Sequence, residues 1–133
     1  MIFVDTNVFM YAVGRSHPLQ EKARLFFGES LTSQQKLVTS SEVLQELLHV
    51  YLPVRRMTTL DAALALVDAC ISSIWVLEPE DVRLARDLAD QSPALNARDL
   101  IHLACCKRRD IQTLKTFDRS LGDAAPLLLS RDA

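Results

Sequence analysis

Short runs rich in β-branched and aromatic residues recur along this chain, each followed by a segment of helical length, and this alternation constrains the fold more than any other feature. "IFVD" (2–5), "KLVTS" (36–40) and "IWVLE" (74–78) read as strands, "IQTLKTFD" (111–118) contains a fourth, and "APLLLS" (125–130) reads as a fifth. Between them, "TNVFMYAVG" forms a helix or turn ending near Gly14, and Pro18 opens a helix to about residue 31. Ser41 caps a helix that Pro53 stops, and Thr58 or Thr59 opens another running to about residue 73. Pro79 with two following acids starts the next, and "NARDLIHLACCKRRD" carries its acid early and its bases late, as the helix dipole favours. Strands separated by helices imply a mostly parallel sheet covered on both faces: an α/β fold with three α/β/α layers and four to five strands.

The length of 133 residues suits one domain over 1–133, and 49% hydrophobic residues are enough for its core. A formal net charge of −2 removes the overall basic signature of a nucleic-acid binder, leaving Arg55-Arg56 and Lys107-Arg108-Arg109 as local basic candidates. The three cysteines, Cys70, Cys105 and Cys106, lack disulfide or zinc spacing and fit reduced thiols in a cytoplasmic protein. Neither a signal peptide nor a membrane span is read from the sequence.

Asp5 stands at the carboxyl end of the first strand, Asp99 in the first turn of a helix, and Asp118 just past the fourth strand. Ligands of open α/β sheets bind outside the carboxyl ends of the strands, so these three acids are expected to converge there if the first strand is central. Each also has a plain structural reading. Asp5 or Asn7 serves as a helix cap, Asp99 as a dipole partner and Asp118 as a turn acid. Glu42, Gln45, Glu46 and His49 form one polar helical stripe of the kind that usually faces solvent. Crowded carboxylates repel, and a divalent cation removes that cost, with Mg²⁺ or Mn²⁺ matching oxygen ligands. His17, His49 and His102 are scattered and read as surface or core residues.

Four segments together resemble the PIN domains, and among them the VapC-type toxins: "FVDTNVF" (3–9), "TSSEVLQELLHV" (39–50), "NARDLIHLA" (96–104) and "KTFDRSL" (115–121). The resemblance spans nearly the whole chain. It implies a metal-dependent ribonuclease with a parallel-sheet α/β/α fold, an RNA substrate, a cognate antitoxin that blocks the cleft, and often a homodimer. The family's acids fall on Asp5, Glu46, Asp99 and Asp118, with Glu42 a competitor of Glu46 one turn earlier. Thr6, Asn7 and Thr116 fall where the family supports the acids or metal-bound water. Asp5 is expected to ligate directly, Asp99 and Asp118 directly or through water, and Glu46 to ligate or to accept a proton from water activated by one or two metal ions. Arg98, Lys107, Arg108 and Arg119 are candidates for phosphate contacts. Leu44, Leu48, Val50, Tyr51, Leu60, Leu64 and Val67 are candidates for partner surfaces, with core packing as the alternative.

Lys115 departs from the family pattern, which more often has an apolar residue there. It either pairs with Asp118 or Asp5 and weakens metal binding, or faces outward. It is the best support for a rival reading, a non-catalytic PIN-like module binding RNA or protein. An aspartyl phosphotransferase is a further rival, opposed by Asn7, where such enzymes generally carry a second acid.

Overall fold

The computed structural model describes residues 1–130 and contains a four-stranded parallel sheet in the order β3-β2-β1-β4. Its strands are β1 (Ile2–Val4), β2 (Leu37–Ser40), β3 (Ser73–Trp75) and β4 (Thr113–Lys115). The helices are α1 (Thr6–Val13), α2 (Pro18–Thr32), α3 (Ser41–Tyr51), α4 (Met57–Cys70), α5 (Pro79–Ala89), α6 (Ala97–Arg108) and α7 (Arg119–Leu128). The three-layer α/β/α arrangement and its parallel sheet match the expectation.

β1 lies between β2 and β4, so the strand order reverses direction at β1 and opens a crevice at the carboxyl ends of β1 and β4. Register fixes what meets there. Val4 pairs with Lys115, and the Asp5 backbone N–H donates to the Lys115 carbonyl at 3.0 Å, which seats Asp5 beside Thr116. Phe3 and Val4 are both fully buried, as expected for a central strand covered on two faces. Phe9, Leu47, Leu88, Leu103 and Leu121 bring α1, α3, α5, α6 and α7 onto the same core, each side chain contributing roughly 1.5–3 kcal/mol by burial.

The fifth strand expected over 125–130 does not form, and the sheet has four strands. Most of that segment belongs to α7, whose start is capped by the Asp118 carboxylate accepting from the Leu121 N–H at 3.1 Å. Leu121, Ala125 and Leu128 recur at i, i+4 and i+7 on its buried face. That periodicity begins before the apolar run that suggested a strand. Pro126 is tolerated near the end of so short a helix because it removes a single donor.

The basic run at the end of α6 is structural. Asp81 is fully buried in the first turn of α5 and accepts from Arg108 at 2.7 Å, from Arg109 at 2.9 Å and from the Glu78 N–H at 2.8 Å. Arg109 also lies over the Trp75 ring at 5.0 Å, and Lys107 donates to the Leu128 carbonyl at 2.9 Å. Lys107 and Arg108 are therefore held by protein groups, a correction to their candidacy as phosphate contacts. Burial alone would raise the Asp81 pKa, but the bonds from Arg109, Glu78 and Arg108 outweigh it and bring it from 3.8 down to about 2.

Because its folded-state value lies below its unfolded one, Asp81 stabilises the fold above pH 4, and that contribution is lost as pH falls toward 2. Urea unfolding of wild type and Asp81→Asn should show a stability gap that narrows by about 2 kcal/mol between pH 5 and pH 2. A gap independent of pH over that range would contradict the ionised, arginine-held state.

Candidate metal centre

Asp5 does two things at once. Its Oδ1 accepts from the Thr6 N–H at 2.7 Å and caps α1, while its Oδ2 accepts from the Thr116 hydroxyl at 2.7 Å. The capping and site readings of Asp5 are thus not exclusive. Asp118 likewise caps α7. Asp99 sits at the third position of α6 in a reciprocal box with Asn96, donating its N–H to Asn96 Oδ1 at 2.9 Å and accepting from the Asn96 N–H at 3.4 Å. Three helix N-termini therefore bring carboxylates to the crevice, where the dipoles favour negative charge.

Glu46 arrives from the middle of α3. It is buried, and its Oε2 accepts from the Thr6 hydroxyl at 2.5 Å. The polar stripe expected to face solvent is therefore split: Gln45 and His49 are exposed, while Glu46 turns inward. Glu42 does not line the crevice, which favours Glu46 over its competitor on position alone. Asp5, Glu46, Asp99 and Asp118 line one cavity of about 180 Å³, together with Thr6, Asn7, Asn96, Arg98 and His102.

Thr116 ties the parts together. Its hydroxyl donates to Asp5 and accepts from Asn7 Nδ2 at 3.2 Å and from the Asp118 N–H at 3.0 Å. Asn7 Oδ1 in turn accepts from the Phe117 N–H at 3.1 Å. Asn7 thus clamps α1 to the β4–α7 connection, a use of its amide unlike that of a second acid. Lys115 points away from the acids, its ammonium lying 5.4 Å from the Phe26 ring centre and 5.0 Å from that of Phe117. It forms no ion pair with Asp5 or Asp118, which withdraws the support it lent to the non-catalytic reading.

His102 is the residue that sequence reasoning missed. It is almost fully buried, its Nε2 lying 2.9 Å from Glu46 Oε1 and 3.4 Å from Asp5 Oδ1. A signal was present: His102 is three residues after Asp99 on one helix, and residues at that spacing share a face. Burial would lower its pKa, but the Glu46 contact and the charges of Asp5, Glu46 and Asp99 prevail and raise it.

The acids respond in different ways. Burial raises Asp5 despite the opposing effects of His102, Thr116 and Thr6. Burial also raises Asp99, opposed by the Asn96 N–H and reinforced by repulsion from Asp118 and Asp5. Glu46 would rise through burial, but His102, Thr6 and Arg98 bring it down. The cleft thus holds more negative charge than its own donors neutralise.

A metal ion fits these residues. Carboxylate oxygens of Asp5 and Glu46 and a ring nitrogen of His102 all lie within 4.8 Å of one another. Glu46 Oε1 and both ring nitrogens of His102 are buried without a hydrogen bond of good geometry, despite the short Glu46–His102 distance. Buried polar atoms left in that state are unusual and point to a missing partner.

Residues 2–126 match the family model of the PIN domain. The chain is 58% identical over 124 residues to ribonuclease VapC23 of Mycobacterium tuberculosis, covering 93% of this chain and 98% of that protein. It is 37% identical over 119 residues to ribonuclease VapC13 of the same organism, covering 90% and 91%. Among solved structures it resembles M. tuberculosis VapC20, a sarcin-ricin loop cleaving toxin, with a TM-score of 0.76 and 18% identity over 93% of this chain and 95% of that one. VapBC2 from Rickettsia felis, bound to a DNA fragment from its promoter, gives a TM-score of 0.68 at 18% identity, covering 95% and 94%. These last two likenesses bear on the fold alone. With a family match over nearly its whole length and a majority of residues shared with a VapC ribonuclease, this chain belongs to the PIN domain family and is of the VapC type.

Proposed function

We propose that the chain is a divalent-metal-dependent endoribonuclease, the toxin of a toxin–antitoxin pair, with Asp5, Glu46, Asp99 and Asp118 as its catalytic and metal-holding acids. The observation that carries this reading is the meeting of four acids from four separate elements in one small cleft at the carboxyl ends of β1 and β4. The naming of its relatives as ribonucleases supports the activity, and the VapBC2 likeness is consistent with an antitoxin partner.

A Mg²⁺ or Mn²⁺ ion, when bound, supplies a water of lowered pKa and positive charge opposite the phosphate. Everything else falls to the chain. Thr6 and Thr116 fix the two Asp5 oxygens and one Glu46 oxygen, so these carboxylates need no rearrangement on binding. His102 Nε2, 2.9 Å from Glu46 Oε1, flanks that oxygen and limits where it can move. Arg98, exposed at the rim, is placed to meet a phosphate. Accessible phosphodiesters of single-stranded or looped RNA suit such an open cleft.

Among the described residues no helix is long and apolar enough to cross a membrane. The three free thiols support a cytoplasmic setting. Core packing accounts for most of the apolar residues of α3 and α4, with Val43, Leu47, Tyr51, Leu60 and Val67 buried. Leu48, Leu52 and Met57 remain exposed around the α3–α4 turn and support a homodimer, which light scattering checks as a doubled mass.

Cleavage of RNA should vanish in a chelator and return on adding Mg²⁺ or Mn²⁺. Cleavage that persists unchanged in the chelator, or a folded protein that binds neither ion by calorimetry, would remove the metal-centred reading.

A further inference from the structure

Beside the acid cleft lies a second groove of about 420 Å³, walled by α1 and the following loop on one side and by the end of α3 and the α3–α4 turn on the other. Asn7, Met10 and Val50 line both, so the two spaces adjoin. Their charges are opposite. The cleft is lined by four carboxylates, whereas the groove is lined by Arg15, Arg56 and His17 with no Asp or Glu.

Both arginines are exposed, and neither forms an ion pair, Arg56 donating only to the Thr59 hydroxyl at 3.4 Å, in contrast to Arg108 and Arg109, which are held by Asp81 and Glu78. Apolar and aromatic residues, among them Met10, Tyr11, Val50 and Tyr51, line the same groove. Tyr11 is half-buried, its ring 5.0 Å from that of His17 and edge-on to Phe117 at 5.7 Å, and Arg56 covers Tyr51 at 5.8 Å. Gly14 lets the loop turn tightly here, since a Cβ at that position would meet the Met10 carbonyl oxygen at 2.8 Å. The volume falls within the range of about 300–1,000 Å³ typical of small-ligand sites. Arginines free of carboxylates and aromatic side chains in one groove are what an unstacked nucleotide needs: cations for its phosphates and a π-surface for its base.

We infer that this groove is a subsite for the nucleotide adjoining the cleaved phosphate of single-stranded RNA, with Arg15 and Arg56 engaging phosphates and Tyr11 receiving the base. The inference rests on the ribonuclease reading of the neighbouring cleft. The acids, which repel phosphate, act on one position, and the arginines next to them hold the strand in register.

The test is binding of a short fluorescein-labelled phosphorothioate RNA of random sequence in magnesium buffer, read by anisotropy over a series of salt concentrations. Arg15→Gln/Arg56→Gln should bind about tenfold more weakly, with the slope of log K against log salt reduced by about 1.4, as for two phosphates on a single strand. Arg15→Lys/Arg56→Lys should recover most of the slope. Cleavage of RNA by the Gln pair should slow at low RNA concentration and recover at saturation, a change in KM rather than kcat. Both side chains are exposed, so the variants should keep the wild-type unfolding temperature. Unchanged affinity and slope in the Gln pair, with wild-type cleavage intact, overturn the subsite alone. So does a Gln pair that binds RNA normally but has lost affinity for an antitoxin peptide, which would mark the groove as a protein-docking site. Absence of cleavage by the wild-type protein in both Mg²⁺ and Mn²⁺ would instead overturn the ribonuclease reading, and the subsite with it.

Discussion

Asp99→Asn lowers RNA cleavage at saturating magnesium by about a hundredfold or more, the scale of removing one electrostatic group from a preorganised site, while leaving the metal-free protein as stable as wild type or more so. The opposite signs follow from the geometry. Asp99 is half-buried and is repelled by Asp118 and Asp5, which together with burial raise its pKa. Asparagine keeps an oxygen for the Asn96 N–H in the α6 box, so the helix start survives. What disappears is one negative charge, and without metal that charge is a cost. Asp5→Asn should also abolish most cleavage and still cap α1, since Asn and Asp cap about equally well. Burial of the Asp5 charge outweighs its attraction to His102, as at Asp99, so this variant too should keep its stability without metal. Thermal unfolding in chelator and cleavage assays in magnesium measure the two effects separately. Wild-type cleavage in both variants would mean that these acids are not the active site.

Phe3→Ala should have the largest effect on stability, costing about 3–5 kcal/mol of the roughly 5–15 kcal/mol that holds a domain of this size. Phe3 is fully buried in the central strand, its ring stacked on Trp75 of β3 at 5.9 Å and packed against His102 at 5.4 Å. Its removal opens a cavity under the imidazole that faces Glu46 and Asp5. Cleavage should therefore fall with stability and recover in part at low temperature, where the fold is again populated. Phe3→Leu should cost markedly less. Urea unfolding gives the comparison, and a loss below about 1 kcal/mol for Phe3→Ala would mean that the site closes over the missing ring.

Much of the layer architecture was legible because strand and helix signals in this chain are local. The β-branched residues of β1, Pro18 and Pro79 at helix starts, and the acid-early, base-late order of α6 act over a few residues and need no partner. The segment over 125–130 misled for the same reason. Its apolar run is local, whereas the helical phase set by Leu121 and the Asp118 cap lies upstream of it. Arg108 and Lys107 looked available because nothing in the sequence announces that Asp81, 27 positions before Arg108, is buried against α6, or that the Leu128 carbonyl, 21 positions after Lys107, meets its ammonium. Residue pattern alone read Glu46 as part of an exposed stripe, its place among the acids coming only from the resemblance, and read His102 as surface or core, since burial of a charged group depends on what packs over it.

The sequence by itself determined where the elements lie, that the sheet would be parallel and layered, and which acids stand at strand ends and helix starts. These follow from backbone preferences, capping chemistry and hydrophobic period, all short-ranged. Only the tertiary structure decided that β1 sits between β2 and β4, that His102 joins the acids, that Lys115 turns away toward two phenylalanine rings, and that two arginines without an ion pair line the groove beside the cleft. Those outcomes depend on strand order and on which charges are buried together. Both are set by contacts between residues as much as 111 positions apart, which no local preference encodes.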